Sequence, residues 1–191
     1  MSAFAEARAA RLPDAFVRAL TVGGPPPTHL PRPIEVHAHD APRYISDMLA
    51  WVHQALANER ELVAALLAHL AAAAPPAAAP PAARRPGEPH AGLDLSVDLR
   101  TSSWLVLRDA RGALPQPVVD ALVRRIVERN VAGCCRPLKA RVQQTLSALG
   151  DAPTLLRLYY ILQFYYATMT HTIGPHAALC ATLVEYVRRS P

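Results

Sequence analysis

Between Ile45 and Leu70 the chain places Ile45, Leu49, Val52, Leu56, Glu59, Val63, Leu66 and Leu70 at alternating steps of four and three residues. Every one of these except Glu59 is apolar. At 3.6 residues per turn such positions share one side of a helix, and the run is far too long for a strand. Met48, Leu62 and Leu67 widen the stripe on one flank, while Arg43, Asp47, Gln54, Asn58, Arg60 and Glu61 form the polar side. His39-Asp40-Ala41-Pro42 supplies the start, since Asp40 can cap the first free amides and Pro42 suits the first turn. A helix over 42–72 would run roughly 45 Å at 1.5 Å per residue. A stripe of that length has to be covered by several neighbouring helices, so it predicts a bundle of long amphipathic helices of the elongated, rod-like kind.

The flanking segments fit an all-α reading. Ser2–Leu20 reads as a helix that brings Phe16, Val17 and Leu20 together around Pro13-Asp14. Gly23-Gly24-Pro25-Pro26-Pro27, with Pro31 and Pro33, then forces a linker. Pro115–Val131 has helical spacing through Val118, Val119, Leu122, Val123, Ile126 and Val127. Arg136–Leu149 follows, with Leu138, Val142, Thr145, Leu146 and Leu149 on one face; Pro137 either kinks the preceding helix or opens a new one. Gly150-Asp151-Ala152-Pro153 is a capped connection into Thr154–His171, which is apolar nearly all round, a pattern expected of a central helix. Gly174-Pro175 breaks that helix, and His176–Arg189 makes the last one through Leu179, Leu183, Val184 and Val187.

The organisation expected is therefore N-terminal helices over 1–70, an Ala/Pro-rich linker or insertion over 71–114, and a C-terminal helical segment over 115–191. Composition matters most in the middle. Alanine supplies 36 of the 191 residues, and the chain carries 19 Pro against 8 Gly. Much of this lies in 71–89, which offers little to bury and reads as a linker. Leu93, Leu95, Val97 and Leu99 alternate with polar residues before Trp104-Leu105-Val106-Leu107, which taken alone reads as a short hairpin, one that is marginal without a sheet to join.

The net charge of +5 comes almost wholly from arginine, because Lys139 is the single lysine. The arginines are scattered, with adjacent pairs only at 84–85, 124–125 and 188–189, which gives no clustered stripe for nucleic acid. Three cysteines, two of them adjacent, do not make a disulfide framework and suit a reducing compartment. Leu158–Val184 lacks Lys, Arg, Asp and Glu, but Gln163, four tyrosines, His171, His176 and the Gly174-Pro175 break argue for buried helices rather than a bilayer span.

Few constellations offer chemistry. His37-Ala38-His39-Asp40 resembles the start of a metal site, yet no further ligands follow at metal spacing, and the plain alternative is that Asp40 caps a helix. Cys134-Cys135 could be a soft-metal or redox pair, or two small core residues. Gly23-Gly24 is no phosphate loop, since prolines replace the needed amides. Glu59 inside the apolar stripe reads as a rim residue or a register-setting contact. Trp51 beside the stripe reads as packing or as an interface anchor. No residue is assigned a catalytic, cofactor-binding or metal-ligating role, so neither an enzyme nor a cofactor is expected.

Several segments carry a more specific likeness. Asp14–Leu20 (DAFVRAL), Pro31–Glu35 (PRPIE), His37–Asp40 (HAHD), Pro42–Tyr44 (PRY), Asp47–Leu56 (DMLAWVHQAL), Asn58–Leu67 (NERELVAALL), Arg136–Val142 (RPLKARV) and the Tyr/Phe-rich Leu155–Ile173 together resemble the sixth subunit of the conserved oligomeric Golgi complex. The resemblance covers 14–70 and 131–189; 71–129 does not match and reads as an insertion or a gene-model artefact. The family's chains are longer, so this would be an interior piece. The resemblance implies a subunit of a multisubunit vesicle tether, built of stacked helical bundles and acting in retrograde transport within the Golgi. It implies peripheral attachment to the cytoplasmic face of the Golgi membrane through sister subunits, SNARE proteins and small GTPases, without nucleic acid and without a catalytic site. The competing readings are a stand-alone helical adaptor unrelated to tethering and a metal-dependent enzyme built on His37, His39 and Asp40.

Overall fold

The long apolar stripe folds as the helix it predicts. The computed structural model describes residues 2–25, 27, 30–73 and 115–189. Its elements in chain order are α1 (Ser2–Thr21), a 3-10 turn (Ile34–His37), α2 (Ala41–Ala73), α3 (Gln116–Ala132), α4 (Cys135–Ser147), α5 (Ala152–Ile173) and α6 (Ala178–Arg189). Among the described residues the protein is an all-α helical bundle. The hairpin expected over 93–107, and the linker expected over 71–114 except its first three residues at the end of α2, lie outside the described residues.

Helices α2 and α3 are the centre of the bundle. α2 packs on α1, α3, α4, α5 and the 3-10 turn, and α3 packs on α1, α2, α5 and α6. On α2, Ile45, Met48, Leu49, Val52, Leu56 and Val63 are all but fully buried. Beyond Val63 the buried position moves to Leu67, while Leu66 and Leu70 are half-buried. A four-three repeat averages 3.5 residues per turn, and an α-helix drifts about 20° per heptad against it. Over three heptads that drift carries Leu66 and Leu70 off the packed side and brings Leu67 in.

Leu12, Phe16 and Leu20 of α1 meet this core, as do Leu122, Val123, Ile126, Val127 and Val131 of α3. Pro137 opens a new helix rather than kinking an old one. The α3 helix ends at Ala132, Cys134 N donates to Val131 O at 2.9 Å, and Pro137 lies in the first turn of α4, where its missing N–H costs nothing. Leu138 and Val142 anchor α4, and Leu179, Cys180, Leu183 and Tyr186 anchor α6. Tyr186 Oη donates to Lys139 O at 3.0 Å and Lys139 Nζ lies 2.8 Å from Glu185, joining α4 to α6. Arg141 of α4 lies 2.5 Å from Glu35 Oε1 in an ion pair without hydrogen-bond alignment, which ties the 3-10 turn to the bundle.

One polar cluster penetrates the core. Glu59 is only 1% exposed, so it is not a rim residue. The Arg8 guanidinium of α1 pairs with its carboxylate, with a second contact from Nε to Oε2 at 3.4 Å, and Asn130 Nδ2 of α3 donates to Oε2 at 3.0 Å. A charge at this depth is stable only where its partners face it, so the cluster fixes the sliding register of α1 and α3 on α2. That is the register-setting alternative of the sequence reading.

Candidate interaction surface

Helix α5 starts where Asp151 accepts from Thr154 N at 2.9 Å, with Pro153 in the first turn. The hydrogen bond from Thr154 holds the Asp151 carboxyl below its ordinary value. The helix ends at Gly174, whose φ of +92° only glycine adopts without strain. Between these stops Leu158, Leu162, Met169 and Ile173 are buried, and the helix packs on α2, α3 and α6. The opposite side is not covered by any described residue. Leu156, Tyr160 and Phe164 are 54%, 60% and 63% exposed, and their spacing of four aligns them along one edge of the helix. The aromatic rings are braced edge-on by their neighbours, Tyr160 by Tyr159 at 5.5 Å and Phe164 by Tyr165 at 5.2 Å.

The sequence therefore misplaces α5. All-round apolarity reads as a central helix, yet α5 lies at the side of the bundle with one apolar face inward and one outward. The outward stripe amounts to roughly 300 Å² of apolar surface, taking aromatic side chains at about 200 Å² each. Its burial is worth about 7 kcal/mol at 25 cal/mol per Å², before the costs of association. A stable interface covers about 800 Å² per partner, so the stripe would form its centre and not its whole extent.

The residues singled out for chemistry have structural roles. Asp40 Oδ1 accepts from Arg43 N at 3.2 Å and caps α2, and His39 Nδ1 donates to Val36 O at 3.1 Å. The rings of His37 and His39 lie 6.5 Å apart and tilted. Among the described residues no three His, Cys, Asp or Glu side chains are grouped to hold a metal ion. Cys134, Cys135 and Cys180 are free thiols; Cys134 and Cys180 are buried and Cys135 half-buried. Burial pushes the Cys134 thiol up to about 12 and raises those of Cys135 and Cys180. Such thiols are poor nucleophiles and pack as small core residues. Trp51 is half-buried and rests on Phe16, ring centroids 5.1 Å apart. No helix among the described residues is long and apolar enough to cross a membrane.

Comparison with known proteins decides the family. The family model for the C-terminal part of conserved oligomeric Golgi complex subunit 6 matches residues 1–190. The chain belongs to this family. The match runs through 71–129, which the resemblance read from the sequence does not reach. Subunit 6 of that complex from Bos taurus is 33% identical over 182 residues, 95% of this chain and 21% of the relative. The subunit 6 from Arabidopsis thaliana is 36% identical over 169 residues, 88% of this chain and 20% of the relative. A fungal subunit 6, from Cryptococcus neoformans, is 32% identical over 170 residues, 89% of this chain and 18% of the relative. The chain thus spans about a fifth of the length of the curated relatives it matches. No solved structure matches it.

Proposed function

We propose that this chain serves as a helical part of a subunit of the conserved oligomeric Golgi complex and acts in vesicle tethering during retrograde transport within the Golgi. The observation that carries this reading is the match to subunit 6 of that complex across 95% of the chain at 33% identity. The work it assigns to the chain is protein–protein contact, with no catalytic step and no cofactor. Sister subunits of the complex are the first partners, with SNARE proteins and small GTPases reached through the assembled tether. Attachment to the cytoplasmic face of the Golgi membrane is peripheral, made by those partners. The Leu156–Tyr160–Phe164 stripe is the assembly face, since its burial would remove the largest aligned run of exposed apolar side chains on any described helix.

The test is co-purification of the tagged chain from cells, with alkaline carbonate extraction of the membrane fraction. The chain should bring down subunits of the complex and leave the membranes in carbonate. Tyr160→Asp with Phe164→Asp should cut recovery of those subunits by at least tenfold, about 1.4 kcal/mol, while leaving the unfolding midpoint within a few degrees. Recovery of an unrelated protein set would replace tethering with the stand-alone adaptor. Unchanged recovery by the double variant would remove α5 as the assembly face.

A further inference from the structure

Three of the arginines that look scattered along the chain, Arg11, Arg18 and Arg32, come together in space. Arg11 and Arg18 lie seven residues apart on α1, two turns along one side and about 10 Å along the axis. Past the end of α1 the chain turns back on itself, and Gly24 N donates to Pro31 O at 2.8 Å. The approach is so close that a Cβ on Gly24 would lie 1.8 Å from Leu30 O, so no other residue fits this fold-back. The fold-back delivers Arg32 to the same place. All three residues line an open groove of about 830 Å³ between α1, this turn and α2. The three residues are exposed, and none has an ion-pair partner among the described residues.

Two carboxylates also line the groove, Asp14 and Asp47. Asp47 lies 3.8 Å from Arg43, one helical turn away, and is already partnered. Asp14 alone then faces three guanidiniums, which leaves an excess of positive charge. Between the charges the lining is mostly apolar, and its one large aromatic side chain is the half-buried Trp51, whose ring lies 5.1 Å from that of Phe16.

We infer that this groove docks an extended acidic segment of a partner protein, with an apolar side chain seated against Trp51 and flanking carboxylates on Arg11, Arg18 and Arg32. Guanidinium takes carboxylate in paired hydrogen bonds, and a desolvated indole is a strong anchor. In an extended segment, carboxylates two to four residues apart are about 7 to 13 Å apart on one face, which spans the Arg11–Arg18 interval. A flat anionic membrane would meet the arginines but leave the volume of the groove beside Trp51 unfilled, so the groove fits a peptide better than a lipid surface. This inference is independent of the α5 stripe and of the tethering reading.

The probe is the capped peptide Glu-Glu-Leu-Phe-Glu-Glu, titrated into the full chain carrying Trp104→Phe, which leaves Trp51 as the sole indole. Trp51 emission should shift on binding, and the affinity should fall steeply between about 0.01 M and about 1 M salt as the Debye length shrinks. The combined variant Arg11→Gln, Arg18→Gln, Arg32→Gln should bind at least about tenfold more weakly, as should the same peptide with Gln for Glu. The far-UV circular dichroism of the variant should match the parent chain. Unchanged affinity in the folded arginine variant would overturn the inference, as would a Trp51 emission that no peptide concentration moves. Flotation with phosphatidylserine-containing vesicles that depends on these arginines, without a peptide response, would overturn it in favour of a membrane surface.

Discussion

Replacing Arg8 by Met keeps most of the side-chain volume and removes the cation that faces Glu59. The Glu59 carboxylate is 1% exposed, and after the substitution its remaining partner is the Asn130 amide at 3.0 Å. Removing one member of a buried ion pair costs about 3–5 kcal/mol. Arg8 is 31% exposed, so water already screens part of the pair and the lower end applies, about 3 kcal/mol. For a chain of this length that corresponds to a fall in melting temperature of about 6–12 °C. Adding Glu59→Leu removes the stranded charge. The residual cost is then that of Asn130, whose Nδ2 loses its acceptor and whose Oδ1 has no partner, about 1–2 kcal/mol. The double variant should therefore be more stable than Arg8→Met alone by about 1 kcal/mol or more. Urea unfolding followed by far-UV circular dichroism measures all of these. A cost under about 0.5 kcal/mol for Arg8→Met, or a double variant as unstable as the sum of its parts, would refute a register-setting role for the cluster.

Leu56 is fully buried at the middle of α2 and Arg60, one turn on, is exposed; Leu56→Ala should cost about 2–5 kcal/mol and Arg60→Ala under about 0.5 kcal/mol, read from the same unfolding curves. The Cys134 thiol, pushed up from 9.0 to about 12 by burial, should contribute stability that is fully present below pH 9 and is lost as pH rises toward 12, because the unfolded chain ionises first. Thiol alkylation at pH 8 should accordingly leave Cys134 unmodified in the native chain and label it in urea, as peptide mass mapping will show; rapid native labelling would mean that the site opens.

The parts of the fold that are legible in the sequence are those fixed by local spacing. The α2 stripe, the Asp40 cap and the Gly174 stop each depend on residues within a turn or two of one another, and each is found where the sequence puts it. The stripe departs from its written pattern at Leu66–Leu70, where helical drift accumulates along the helix, and at Leu62, a flank position that stays exposed while Met48 and Leu67 are buried. What the sequence hides is carried by distance along the chain. Arg8, Glu59 and Asn130 are separated by 51 and 71 residues, and the sole local hint is a charged or amide residue inside an otherwise apolar stripe. The hint was present twice, at Glu59 among Leu56 and Val63 and at Asn130 beside Val127 and Val131, and pairing the two would have located the contact. Arg11 and Arg18 are likewise seven residues apart, a helical neighbour relation that a search for adjacent basic pairs passes over.

The misplacement of α5 has a different origin. A helix that is apolar all round states only that each of its faces will lie in a water-poor environment, and it does not state who provides that environment. The buried side of α5, through Leu158, Leu162 and Met169, is satisfied by α2, α3 and α6. The side with Leu156, Tyr160 and Phe164 is left over, and those side chains are larger than a soluble surface requires. Glu59 and this stripe are thus inverse violations of the same patterning rule, a charge inside and a run of large apolar side chains outside. The first is resolved within the chain, because its cation and amide lie on the adjoining helices. The second has no resolution among the described residues, so the same physical chemistry that makes Glu59 an internal register pin makes the α5 edge the place where another chain has most to gain by binding.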